Sequence, residues 1–213
     1  MTRRTRRVID SHVHLFDRSH LDKLAWMTAD SPLNEGNDLV RYGEECHDKK
    51  PRNLNYSITG LIFIEADRKV LKPIDDPSGW DFVLDEYKYV DRIRRNELLS
   101  SENSAPLPSI PVKAVIPWAP VPSGRKVLEK YISELKKAGA QSSTSVKGFR
   151  YLVQDKPNGV MLEEGFIEGV NYLGEEGYIF ELGIDIRSGG LWQLEEAISL
   201  VKKIPNTVII IGE

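Results

Sequence analysis

A chain of 213 residues, 40% of them hydrophobic, has enough apolar mass for one sizeable core. Its formal net charge of -3 gives no electrostatic reason to expect nucleic acid or an anionic membrane as partner. One cysteine, Cys46, excludes an internal disulfide framework and points to a reducing, cytoplasmic setting.

No run approaches the roughly 18 apolar residues of a membrane span. The basic start, Met1 to Arg7, lacks the apolar core of a secretory signal and leads straight into the first strand, so residues 1–6 are expected to form a flexible, solvated tail. Cys46 lies beside His47 in a polar stretch, which suits a surface or packing thiol better than a nucleophile.

Val8-Ile9-Asp10-Ser11-His12-Val13-His14-Leu15-Phe16 opens apolar and β-branched, as a buried strand does. Its two histidines are spaced i, i+2, which on a strand turns them to one side. Such a pair can hold one divalent ion, clamp one substrate oxygen, or serve only as satisfied structural histidines. From Asp17 to Lys50 the chain reads as polar and irregular, with Leu24-Ala25-Trp26-Met27 as an apolar island that either caps a pocket or folds onto the core.

Ile58 to Glu65 is a second expected strand. Trp80, Val83, Leu84, Tyr87, Val90 and Ile93 recur with helical period over 79–96. A third strand spans 110–118 and a helix spans 124–138. A fourth strand covers 146–153 and a helix 159–173. A fifth strand covers 178–186, and a helix over 191–203 has Leu194, Ala197, Ile198 and Val201 expected to face inward; a sixth strand spans 207–211. Alternation of helices with continuous apolar strands is the pattern of a parallel α/β sheet covered on both faces, here read as one domain over 1–213.

Ligands of parallel α/β folds bind at the C-terminal strand ends. Those ends offer His12 and His14, then Glu65, Asp67 and Arg68, then Trp118, Arg150 and Asp185. Arg150, inside or just past its strand, needs an anionic partner. A substrate carboxylate or hydroxyl array would serve, and so would Asp155, Asp185 or Glu65.

The segments Asp10-Ser11-His12-Val13-His14-Leu15, Leu24-Ala25-Trp26-Met27, Gly60 to Lys69, Pro117-Trp118-Ala119-Pro120, Val146 to Pro157 and Trp192 to Ala197, in this order, resemble the amidohydrolase-related (amidohydrolase 2) family. Within it they are most similar to the fungal group near the L-rhamnono- and L-fucono-lactonases. The resemblance implies a (β/α)8 TIM barrel, here with about six of eight strand–helix units, that opens a lactone ring with activated water. It implies His12 and His14 as catalytic residues and as ligands of a divalent metal (zinc or manganese), or as carbonyl-polarising groups in metal-free members. It also implies substrate binding by Arg150, with Glu65, Arg68, Trp118 and Asp185 as further candidates.

The family's later histidine block and its aspartate have no counterpart, since Thr207 to Ile211 is followed only by Gly212 and Glu213. Truncation after the sixth strand, weak or absent activity of the chain by itself, and self-association through an open sheet edge are therefore expected. The expected partner is a small molecule, a sugar lactone or related carboxylate. A metal-dependent decarboxylase of the same superfamily and a non-catalytic remnant are the competing readings.

Overall fold

The computed structural model describes residues 5–48, 55–103, 105–139 and 145–212. The chain falls into two compact units, one formed by Met1–Lys69 with Phe82–Val115, the other by Val70–Asp81 with Ile116–Glu213.

In the first unit, β1 (Arg6–Val13) pairs in parallel with β2 (Tyr56–Ile64), and β3 (Val112–Ile116) lies on the other side of β2. Arg6 therefore belongs to a strand; residues 1–4 of the expected tail lie outside the described residues. Asp10 opposes Leu61 and Val13 opposes Phe63, so three steps of β1 match two of β2. That extra residue is a bulge at Ser11-His12, a device that re-aims side chains at the end of a strand. Most of β1 is exposed, Val8 and Ile9 included, contrary to the expected buried strand. It ends its sheet, and only Val13 and the residues after it turn into the core.

The segment from Asp17 to Lys50 is not wholly irregular. Arg18–Lys23 is a 3-10 turn capped by the Asp17 carboxylate, and Leu39–Asp48 is helix α1. Helix α2 (Asp81–Arg95) covers the unit with Val83, Tyr87, Val90 and Ile93, the period read from the sequence. Arg92, Arg94 and Arg95 lie in its last turn, where cations suit the carbonyl end of the dipole.

In the second unit, α3 (Gly124–Ala138), β4 (Gly148–Leu152), α4 (Glu164–Glu175), β5 (Ile179–Gly183), α5 (Trp192–Lys203) and β6 (Ile209–Gly212) alternate as expected. The strands pair in the order β4-β5-β6, all parallel. The helix-facing side of this sheet is aromatic. Phe149 meets Tyr131 of α3 and Tyr178 edge-on, and Tyr151 and Phe180 both meet Phe166 of α4, at centroid distances of 5.0–6.5 Å.

Helix α5 departs from its expected facing. Ala197 and Leu200 are buried, but Ile198 and Val201 are 50% and 46% exposed. Gln193 and Glu196 take the inward positions because they serve backbone groups. Gln193 accepts from the Asp185 N–H at 2.8 Å and donates to the Gln154 carbonyl at 3.1 Å, while Glu196 accepts from the Gly159 N–H.

Candidate functional site

The bulge and the turn after β1 bring His12 and His14 together. Their Nε2 atoms lie 3.2 Å apart and their rings meet edge-on, 4.8 Å between centroids. His14 Nδ1 sits 2.8 Å from the Glu65 carbonyl and 3.1 Å from that of Ile64. Carbonyls only accept, so Nδ1 carries the proton and the Nε2 lone pair of His14 is directed toward His12. The His14 carbonyl accepts from Asn37 Nδ2 at 2.7 Å.

His12 is set from behind by Asp10. One carboxylate oxygen of Asp10 accepts from the His12 N–H at 3.3 Å, and the other from the Tyr42 hydroxyl at 2.9 Å. Tyr42 lies on α1, so that helix helps fix the first histidine. Burial and the Asp10 carboxylate together push the Tyr42 hydroxyl pKa upward, keeping it a donor.

Glu65 contributes both its backbone and its carboxylate here. It is fully buried, its carbonyl receives His14, and its carboxylate accepts from the Asp67 N–H at 2.6 Å. Asp67 has φ 55, a left-handed turn that needs this kind of local hydrogen bond.

Arg68, expected at the substrate, is instead enclosed. Its side chain lies 3.0 Å from His20 Nδ1, 3.4 Å from Glu86 and 3.7 Å from Asp85. The guanidinium points into the protein because the Asp67 turn reverses the chain, and Lys69 N–H then bonds to the Lys23 carbonyl at 2.9 Å. Burial pushes the His20 pKa down to about 4, with Arg68 adding to the effect. Burial pushes Glu86 up to about 7 against the pull of Arg68. A buried guanidinium held by three side chains is a brace for the β2 end.

The second unit holds the remaining candidates. Arg150 on β4 and Glu181 on β5 share a register position, with Nε 3.3 Å from Oε1, on the sheet face opposite the aromatic one. The partner of Arg150 is thus Glu181, which none of the sequence alternatives named. Burial raises the Glu181 pKa, and Arg150 opposes that rise.

Trp118 pairs by backbone with Arg150, but its ring packs edge-on against Tyr131 at 5.5 Å. That contact packs Trp118 on the helix side of the sheet. Asp185 is committed to its own loop: it accepts from the N–H groups of Arg187 and Ser188 and from the Ser188 hydroxyl. Those bonds hold its carboxyl below the usual carboxylate range.

Beside His14 the first unit has a cavity of about 430 Å³, lined by Phe16, Trp26, Leu33, Glu35, Asn37 and Arg41. The apolar island therefore does both things considered for it. Leu24 is fully buried with Phe16 and Ala66, while Trp26 faces the cavity.

No family model matches the chain. It is 36% identical, over 97% of its length, to the L-rhamnono-gamma-lactonase of Scheffersomyces stipitis, and it spans 60% of that relative. Among solved structures it resembles amidohydrolase 2 from Bifidobacterium longum subsp. infantis, with a TM-score of 0.56, 20% identity, and coverage of 97% of this chain and 61% of that one. It also resembles an amidohydrolase from Burkholderia multivorans with bound zinc, with a TM-score of 0.62, 16% identity, and coverage of 98% and 57%. The fold is that of part of an amidohydrolase TIM barrel, as the order of sequence segments led one to expect.

Proposed function

We propose that this chain, with the amidohydrolase 2 fold and a lactonase among its relatives, carries a hydrolytic centre for sugar lactones at His12 and His14. The observation that supports this most is the opposed Nε2 pair at 3.2 Å, with His14 fixed through Nδ1. In the reaction, water adds to the lactone carbonyl carbon and the ring C–O bond breaks, leaving an aldonic acid and a free hydroxyl. Protonated at Nε2, His12 can donate to the carbonyl oxygen as negative charge builds there. Held through its Nδ1 bond to the Glu65 carbonyl, His14 presents a basic Nε2 that can take a proton from the attacking water, and that proton passes to the ring oxygen as the C–O bond breaks.

The pair also fits two positions of a zinc or manganese ion. Nitrogens about 2.0–2.1 Å from zinc at a near-tetrahedral angle lie about 3.3 Å apart, close to the observed spacing. Among the described residues there is no cluster of three or more such donors, so the pair fits as a two-ligand portion of a site. When bound, a divalent ion supplies Lewis acidity and a more acidic water.

Arg150, held by Glu181, is our candidate for a substrate-binding group. The exposed apolar positions Val208, Ile210 and Ile211 support self-association of the chain along β6. The lone cysteine supports a reducing, cytoplasmic setting, and no helix among the described residues is long and apolar enough to cross a membrane.

The test is ring opening of L-rhamnono-γ-lactone followed by proton release. We expect opening above the buffer rate, lost in His12→Ala and in His14→Ala. No opening by the folded chain, or opening indifferent to both substitutions, overturns the reading.

A further inference from the structure

The register between β1 and β2 passes from Asp10–Leu61 to Val13–Phe63, so the bulge at Ser11-His12 carries an exposed His12. An exposed imidazole on a bulged end strand has several orientations open to it. Facing His14 at one spacing requires that all but one be removed. His14 is held by the Glu65 carbonyl, and His12 needs a restraint of its own.

That restraint comes from α1. Asp10 spans the bulge, accepting from the His12 N–H through one carboxylate oxygen, and its other oxygen accepts from the Tyr42 hydroxyl at 2.9 Å. A hydroxyl-to-carboxylate bond is among the stronger ones a side chain makes, and this one stops the carboxylate turning away from the bulge.

The helix that carries Tyr42 is itself fastened to the chain around His14. Asn37 exchanges two backbone hydrogen bonds with Phe16, at 2.9 and 3.1 Å, and its side chain donates to the His14 carbonyl at 2.7 Å. Asp38 then caps the first turn, accepting from the Arg41 N–H at 2.9 Å, and the Tyr42 N–H bonds to the Asp38 carbonyl at 3.0 Å. Tyr42 thus stands one turn into a helix whose start is joined to His14, and it reaches across to the residue that holds His12.

We propose that Tyr42 is a positioning residue of the histidine pair: through Asp10 it sets the His12 ring against His14, in a frame anchored at His14 itself. Its bearing on rate rests on the lactone reading of His12 and His14, whereas its bearing on ring placement does not.

The experiment compares the whole chain with Tyr42→Phe, which removes one oxygen, with Asp10→Ala and with the double variant. Ring placement is read as the NOE between the imidazole hydrogens of His12 and His14, assigned among the chain's 4 histidines with His12→Ala and His14→Ala. Catalysis is read as kcat and KM for L-rhamnono-γ-lactone. We expect Tyr42→Phe to weaken the NOE and to lower kcat about tenfold, with KM within about twofold. A role in folding alone would show as a lower urea midpoint with both readouts unmoved. Because Tyr42 acts through Asp10, the substitution is expected to change neither readout further in the Asp10→Ala background. An NOE or a kcat that survives Tyr42→Phe, or a loss as large without Asp10 as with it, overturns the proposal. A parent chain without hydrolysis would sink the lactone reading and leave the NOE to decide on Tyr42.

Discussion

Arg150 and Glu181 stand at the same register position on adjacent parallel strands, Nε 3.3 Å from Oε1, with both side chains almost completely buried. Removing one partner of a buried pair leaves the other charge without compensation, which costs roughly 3–5 kcal/mol. Arg150→Met and Glu181→Leu are each expected to lower the urea unfolding free energy by about that amount, and the double replacement to recover most of it. Equal, additive losses would show that the two charges are not coupled.

Around Arg68, two groups with opposite linkage share one pH window. His20 falls from 6.5 to about 4 on folding, so between those values the unfolded chain binds more protons and stability rises with pH. Glu86 rises from 4.5 to about 7, so over that span the folded chain binds more protons and stability falls with pH. The two slopes oppose each other between about pH 4.5 and 6.5. Glu86→Gln is expected to make stability climb more steeply with pH there than in the parent, and His20→Gln to make it climb less or fall. Urea midpoints across pH 4–8 check both; unchanged slopes in both variants would refute the assignment.

Asp185 should matter to its loop and not to the ligand. Asp185→Ala is expected to speed amide exchange at Arg187 and Ser188, whose N–H groups it holds, while leaving the rate of lactone opening unchanged. The same local effect should appear in the parent only when acid protonates this low-pKa carboxyl. A loss of lactone opening would restore Asp185 as a ligand contact.

Self-association along β6 has a direct check by sedimentation velocity. Ile210→Lys places a charge at a 47% exposed position of the last strand of its sheet and is expected to shift the distribution toward monomer. An identical distribution for parent and variant would remove this edge as the contact.

Several of these features were legible in the sequence. The periods of α2 and α3 and the apolar runs of β4 and β5 are dictated by burial, and burial is written in residue type. Glu181 was visible as an acid within an apolar run, but pairing it with Arg150 needs strand register. Leu39–Asp48 has too few apolar residues for its helix to declare itself. In α5 the period was right and the face was wrong, because Gln193 and Glu196 are buried by hydrogen bonds to backbone groups distant in sequence. Arg68 and Asp185 look like ligands at strand ends; their partners within the protein depend on the turn at Asp67 and the hydrogen bonds at Ser188, which residue type does not announce. The i, i+2 histidines did predict a shared direction, although the bulge at Ser11-His12 and the Glu65 carbonyl produce it rather than a regular strand.

The central claim is that His12 and His14 work as one unit through facing Nε2 atoms, and a double-mutant cycle on kcat/KM for L-rhamnono-γ-lactone tests it most directly. Groups that act together lose their contribution once, so His12→Ala, His14→Ala and the double variant are expected to fall to about the same residual rate. Losses that multiply in the double variant, or a single variant that keeps the parent rate, would contradict it.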